Sequence, residues 1–175
     1  ADNLESEKFR QIQLTEFVGV HSDLAVEIES SSFVERVRRL DPSHPKYVAE
    51  ADELNYGRRG PLVVGEIEKV FDKFASRITR ARFNYLAGGH EIKPHIDYDP
   101  SFITRYHIPV LTNPGVKMYI EKQGHQHEQY LPADGRVYFF NAGFKHWVKN
   151  NSSLARLHLI VDVHGQIELE HLIPI

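Results

Sequence analysis

Apolar positions that recur three and four residues apart predict a helix over residues 64–78. Its apolar side includes Ile67, Phe71 and Phe74, while charged residues occupy the opposite side. A second helix is predicted over residues 23–39, and segment 41–61, which contains three prolines, is predicted to be a loop. Up to about residue 80 the chain is therefore predicted to consist of helices and loops.

The pattern changes after residue 80 to short runs with strand character, separated by glycine, proline, asparagine and aspartate. The predicted strands cover residues 81–86, 106–111, 116–121, 136–141, 146–149 and 156–163. Many short strands at even spacing favour a sandwich or jelly roll with a small-molecule cavity. We predict a single mostly-β domain over 1–175, with N-terminal helical support in 1–80, a β core in 81–164 and a tail in 165–175.

The composition excludes several classes of protein and of metal site. The 175 residues include no cysteine, which excludes disulfide scaffolds, zinc fingers and thiolate nucleophiles, so a metal would need nitrogen or oxygen ligands. A net charge of -3 disfavours nucleic acid as a partner. No apolar stretch is long enough to cross a membrane and the start is polar, so we expect a cytoplasmic protein.

Candidate metal ligands occur in the β-rich part. His95 and Asp97 are two residues apart, which on an extended strand places both side chains on one face. On its own, this spacing is equally consistent with two solvated side chains that bind no metal. With His146 it would complete two histidines and one carboxylate, the ligand set of non-haem Fe(II) oxygenases.

Arg156 begins the last predicted strand and shares one face with His158, Ile160 and Asp162. A buried guanidinium without an anionic partner is too costly. Two interpretations stay open here: an ion pair with a neighbouring acid, or a clamp for the carboxylate of a bound molecule.

A competing cluster contains His125, His127 and Glu128, which could also bind a metal. With Gly143, His146 and Asn150 it faintly resembles the two-part motif of cupins. The upstream glycine, the later glutamate and the proline before Gly143 that this motif requires are missing, and we interpret residues 125–129 as a polar turn and edge strand.

Four groups of residues together resemble the aspartyl/asparaginyl β-hydroxylase-like family of 2-oxoglutarate oxygenases. The resemblance covers about residues 81–164. Its motifs are His95-x-Asp97, then Arg105-x-His107-Ile108-Pro109, then His146-x-Val148-x-Asn150-x-Ser152 with Arg156 ten residues after His146, and the closing Ile160-Val161-Asp162-Val163.

The resemblance implies a double-stranded β-helix, a variant of the jelly roll, with Fe(II) held by His95, Asp97 and His146. It implies that Arg156 binds the distal carboxylate of the co-substrate 2-oxoglutarate, with Arg105 and His107 near that molecule. Some family members have glycine where this chain has Asp97.

The activity implied is hydroxylation of an amino acid, free or within a polypeptide, using O2 and releasing succinate and CO2. An apolar wall that excludes water is expected from Phe139, Trp147, Val148 or Ile160. The alternatives are a non-catalytic jelly-roll module that binds metal or 2-oxoglutarate, and a cupin-type metalloenzyme. The sequence determines neither the substrate nor the oligomeric state.

Overall fold

The computed structural model describes residues 8–18 and 53–170, and strands form most of this part of the chain. The strands are β1 Phe9–Gln13, β2 Thr15–Phe17, β3 Tyr56–Arg59, β4 Arg77–Leu86, β5 Glu91–His95, β6 Thr104–Leu111, β7 Val116–Lys122, β8 His125–Gln129, β9 Tyr138–Phe140, β10 Lys145–Asn150 and β11 Arg156–His164. The helices are α1 Glu66–Phe71 and α2 Ile167–Glu170, and Glu53–Asn55 forms a 3-10 turn. Neither helix of this described part has the length and apolar character needed to cross a membrane.

Two antiparallel sheets form the body of the fold. The larger sheet has the strand order β1-β4-β11-β6-β9, and the smaller sheet has the order β5-β10-β7-β8. Strands β2 and β3 pair as a separate ribbon. The two larger sheets pack on each other through a cluster that contains Leu86 and Phe140 from one sheet and Val116 and Val148 from the other. This arrangement confirms the prediction of a mostly-β, jelly-roll fold.

Strand β11 lies at the centre of the larger sheet and separates two environments. Leu159, Val161 and Val163 point to a cluster that also contains Phe71 of α1. Because side chains alternate along a strand, Arg156 and Asp162 point to the opposite face, toward the smaller sheet. Both are fully buried. The polar residues of β11 therefore lie inside the jelly roll.

The prediction of a helical N-terminal part is wrong for the residues that the structure describes. Segments 8–18 and 53–61 contain strands β1 to β3, and the helix predicted over residues 64–78 covers only Glu66–Phe71. Ile78 lies in β4 and pairs with Val163 of β11. The spacing correctly identified Ile67, Phe71, Phe74 and Ile78, which belong to one cluster or pack against it. It was wrong for Val64, which is 64% exposed, and strand pairing replaces the helix at Ile78. The helix predicted at 23–39 lies outside the described residues.

Candidate metal centre and cavity

Two neighbouring strands bring the predicted metal ligands together. His146 of β10 is the register partner of His95 at the end of β5, and their ring centres are 4.2 Å apart. Asp97 follows β5 and is held by its backbone N–H, which donates to the carbonyl of Ala142 at 2.9 Å. One ligand atom from each of the three residues lies within 4.8 Å of the others, so they could hold a metal ion.

Backbone carbonyls orient both imidazoles. The Nδ1–H of His95 donates to the carbonyl of Lys93 at 2.7 Å, and the Nδ1–H of His146 donates to the carbonyl of Phe144 at 2.9 Å. Because Nδ1 carries the proton, Nε2 of each ring has a free lone pair. These Nε2 atoms lie 3.7 Å and 3.8 Å from Oδ2 of Asp97. Such support from outside the ligand set is typical of metal-binding histidines.

The protonation states also suit a metal site. Burial lowers the pKa of His146 to about 4, so this ring is neutral at neutral pH. Burial alone would raise the pKa of Asp97, but Arg105 and the two histidines outweigh that effect and hold its pKa below the usual value. His146 is therefore available to a metal as a neutral imidazole and Asp97 as a carboxylate.

Arg105 connects Asp97 to a second buried carboxylate. Its Nη1 pairs with Oδ2 of Asp97, and its Nε and Nη2 donate to Asp162 at 2.7 and 2.9 Å. Arg82 donates to the same carboxylate at 2.7 Å. Glu53 lies 3.6 Å from Arg105. The structure thus places Arg105 among acids of the chain itself, where it holds Asp97 in position.

Arg156 has a different environment, because the described residues provide no carboxylate partner for it. Its side chain is fully buried and donates to Oδ1 of Asn84 at 2.8 Å and to Nδ1 of His158 at 2.9 Å. Its Nε finds no hydrogen-bond partner in residues 8–18 or 53–170. Burial lowers the pKa of Arg156 to about 9, so keeping this charge without an anion is costly. Of the two interpretations, the ion pair with a neighbouring acid is not found in the described part of the chain.

The predicted His107 lies beside Arg156. Its Nδ1 is 3.2 Å from Nδ1 of His158 and 3.5 Å from Nη2 of Arg156. Burial, together with the neighbouring His158 and Arg156, lowers the pKa of His107 well below its usual value. His107 therefore lies next to the bond at 2.9 Å between Nη2 of Arg156 and Nδ1 of His158.

These groups surround one cavity of about 970 Å³, a size that admits two small molecules. His95, Asp97 and His146 line it together with Arg105, His107 and Arg156. Val148 and Ile160 contribute apolar surface, as expected. Phe139 and Trp147 are not part of the lining: Phe139 is 38% exposed, and Trp147 stacks on Tyr119 at 5.2 Å.

The competing histidine pair lies elsewhere. His125 and His127 are on the exposed edge strand β8, as the interpretation of an edge strand predicted. Among the described residues, His95, Asp97 and His146 are the only group of three with metal-ligand spacing.

Several cavity residues were not identified from the sequence, among them Glu53, Arg80, Arg82 and Asn84. The last three alternate along β4, so they share the face that lines the cavity. This alternation of polar residues was a usable signal. Glu53 had none, because only tertiary packing brings its 3-10 turn to the cavity.

The fold and the donor set define a jelly-roll protein with a candidate metal centre. A family model described as aspartyl/asparaginyl beta-hydroxylase matches residues 50–165, and the chain belongs to this family. This confirms the resemblance and places the protein among hydroxylases. None of the curated proteins matches the sequence.

Solved structures with similarity to this chain include an oxidoreductase and a cupin domain. A 2OG-Fe(II) oxygenase family oxidoreductase from Burkholderia pseudomallei is similar over 91% of this chain and 69% of its own, with 13% identity and a TM-score of 0.51. A cupin domain from Bordetella pertussis is similar over 53% of this chain and 88% of its own, with 16% identity and a TM-score of 0.40.

Proposed function

We propose that the protein is an Fe(II)- and 2-oxoglutarate-dependent dioxygenase that hydroxylates an amino acid, free or as a residue of a polypeptide. The observation that carries the proposal is the buried guanidinium of Arg156. It faces the same cavity as the His95, Asp97 and His146 ligands and has no carboxylate partner among the described residues. A dicarboxylic keto acid would supply the missing anion at one end and reach the metal with the other.

The residues present fit both groups. Two imidazoles and a carboxylate suit Fe(II) and leave coordination positions open. The planar guanidinium of Arg156 suits a carboxylate, and Asn84 and His158 hold it ready before the co-substrate arrives. When bound, Fe(II), 2-oxoglutarate and O2 supply the oxidation that hydroxylates the substrate and releases succinate and CO2.

The chain's own groups position and protect this chemistry. Arg105 holds Asp97 through an ion pair anchored on Asp162, so the carboxylate ligand is fixed before a metal binds. Val148 and Ile160 give the cavity apolar surface, which would help to exclude water. His107 lies at the co-substrate end, with Nδ1 3.5 Å from Nη2 of Arg156.

Succinate formation tests the proposal. The full chain is supplied with Fe(II), ascorbate, 2-oxoglutarate and a panel of free amino acids and short peptides. We expect substrate-stimulated succinate from the wild type and from His127→Ala, and none from His95→Ala, because only His95 would hold the metal. Equal activity in the two variants would contradict the metal assignment. Stoichiometric binding of metal and 2-oxoglutarate without turnover would instead indicate a non-catalytic module.

A further inference from the structure

Four arginine side chains line the cavity, and they differ in whether they hydrogen-bond to a carboxylate of the chain itself. Arg82 and Arg105 each hydrogen-bond to the Asp162 carboxylate at 2.7 Å. Arg80 and Arg156 have no such bond to any carboxylate of the described residues. Because Arg156 is taken by the co-substrate in the proposed function, Arg80 is a second cationic group available to a bound anion.

Neutral contacts hold Arg80 in place. Its Nε donates to Oε1 of Gln13 at 3.3 Å, and its guanidinium carbon lies 5.0 Å from the ring centre of Tyr56. Oε1 of Glu53 is 3.7 Å from Nη1 of Arg80, a distance that allows an ion pair but not a hydrogen bond. Burial raises the pKa of Glu53 to about 8, so this side chain retains its proton at neutral pH and compensates little of the positive charge.

The position of Arg80 suits the second molecule in the cavity. Arg80 and Asn84 share one face of β4, and Asn84 contacts Arg156 at the co-substrate end. Four residues of strand separate their Cα atoms by about 13 Å. A substrate can therefore lie between Arg80 and the metal centre while the co-substrate occupies the end at Arg156.

We propose that Arg80 binds a carboxylate of the molecule to be hydroxylated, so that this amino-acid substrate is recognised through its anionic group. The inference rests on the proposed function and adds the residue and the chemical group that select the substrate. The guanidinium of Arg80 is oriented by stacking and by one hydrogen bond. Its remaining N–H groups are parallel donors that can bind both oxygens of a carboxylate.

Binding to the full chain loaded with Mn²⁺ and 2-oxoglutarate tests the proposal without turnover. The probes are free amino acids, their α-amides, and acetylated peptide amides that contain one aspartate, measured by calorimetry. We expect Arg80→Gln to weaken binding of the carboxylate probes roughly 10- to 100-fold through loss of charge-assisted hydrogen bonds. The Kd of 2-oxoglutarate should stay unchanged. Arg80→Lys keeps the positive charge but not the two parallel donors, so its affinity for the carboxylate probes should fall less than that of Arg80→Gln.

Arg58→Gln is the matched control, since Arg58 is exposed on β3 and pairs with Glu16 outside the cavity. Loss of binding by every α-amide would identify the α-carboxylate as the recognised group, whereas retained binding by aspartate-containing peptide amides would identify a side-chain carboxylate. Unchanged probe affinity in both Arg80 variants, or no binding of carboxylate probes to the wild type, would overturn the proposal.

Succinate formation, followed in parallel, separates the two proposals. If the wild type binds a carboxylate probe through Arg80 but forms no succinate, the dioxygenase proposal fails and the Arg80 assignment stands. If succinate forms with the same substrate KM in the wild type and in Arg80→Gln, the Arg80 assignment fails and the dioxygenase proposal stands.

Discussion

Replacing Arg156 with methionine separates co-substrate binding from metal binding. Methionine retains most of the side-chain length but removes the charge and all donors. The guanidinium of Arg156 donates to Asn84 and His158, whereas the metal would be held by His95, Asp97 and His146. We therefore expect Arg156→Met to lose affinity for 2-oxoglutarate and to keep its affinity for the metal.

The size of the loss follows from the burial of the guanidinium. A fall in the pKa of Arg156 from 12.5 to about 9 corresponds to about 5 kcal/mol of unfavourable charging free energy in the ligand-free protein. A bound carboxylate would recover part of that cost. Truncating one partner of a buried, hydrogen-bonded charge pair costs about 2–5 kcal/mol, or roughly 30-fold to several thousandfold in Kd.

Calorimetric titration of 2-oxoglutarate into the Mn²⁺-loaded protein measures this change, and a separate Mn²⁺ titration measures metal affinity. Arg136→Met is the control, because Arg136 is an exposed arginine whose side chain is 78% accessible. Thermal unfolding of each variant verifies that it is folded. A 2-oxoglutarate Kd within threefold of the wild type would refute the assignment of Arg156 to the co-substrate.

Three further changes test the buried network and the loops. Asp162→Asn leaves two buried arginines short of an anion and should lower the free energy of unfolding by about 3–5 kcal/mol in urea, while the exposed Asp134→Asn should change it little. Burial and the neighbouring Asp162 raise the pKa of Glu53 from 4.5 to about 8. The stability that the protonated side chain contributes is therefore fully present below pH 4.5 and is lost as the pH rises to 8. In unfolding measurements, the free energy of unfolding of Glu53→Gln should therefore rise relative to that of the wild type by up to about 5 kcal/mol between pH 4.5 and 8. Parallel pH profiles of the two proteins would contradict this reasoning. In Gly88→Ala the new Cβ would lie 2.5 Å from the carbonyl carbon of Ser153, so we expect a loss of about 1–3 kcal/mol, and a Tm equal to that of the wild type would exclude this clash.

The β core and the approach of His95 to Asp97 could be predicted because their signals are local, whereas His146 was added through the spacing of the whole family motif. Alternation along β11 is enough to place Arg156 and Asp162 on one face, and the two-residue spacing of His95 and Asp97 is enough to place those side chains together. The environment of Arg105 could not be predicted in the same way. It depends on which acids the packing of distant strands brings to its guanidinium, and sequence spacing carries no information about that.

The role of the N-terminal part of the chain also could not be predicted from sequence spacing. Its position in the fold indicates that role. Residues from β1, from the 3-10 turn and from the start of β4 line the cavity; these include Gln11, Glu53 and Arg80. The sequence pattern predicted only a supporting role for residues 1–80. In the structure, parts of them form a wall of the cavity itself, with Gln13 and Tyr56 orienting Arg80. The β core offers ligands for a metal and a guanidinium for a co-substrate, so the proposed contact of Arg80 with the substrate would give residues before the quoted motifs a part in substrate selection.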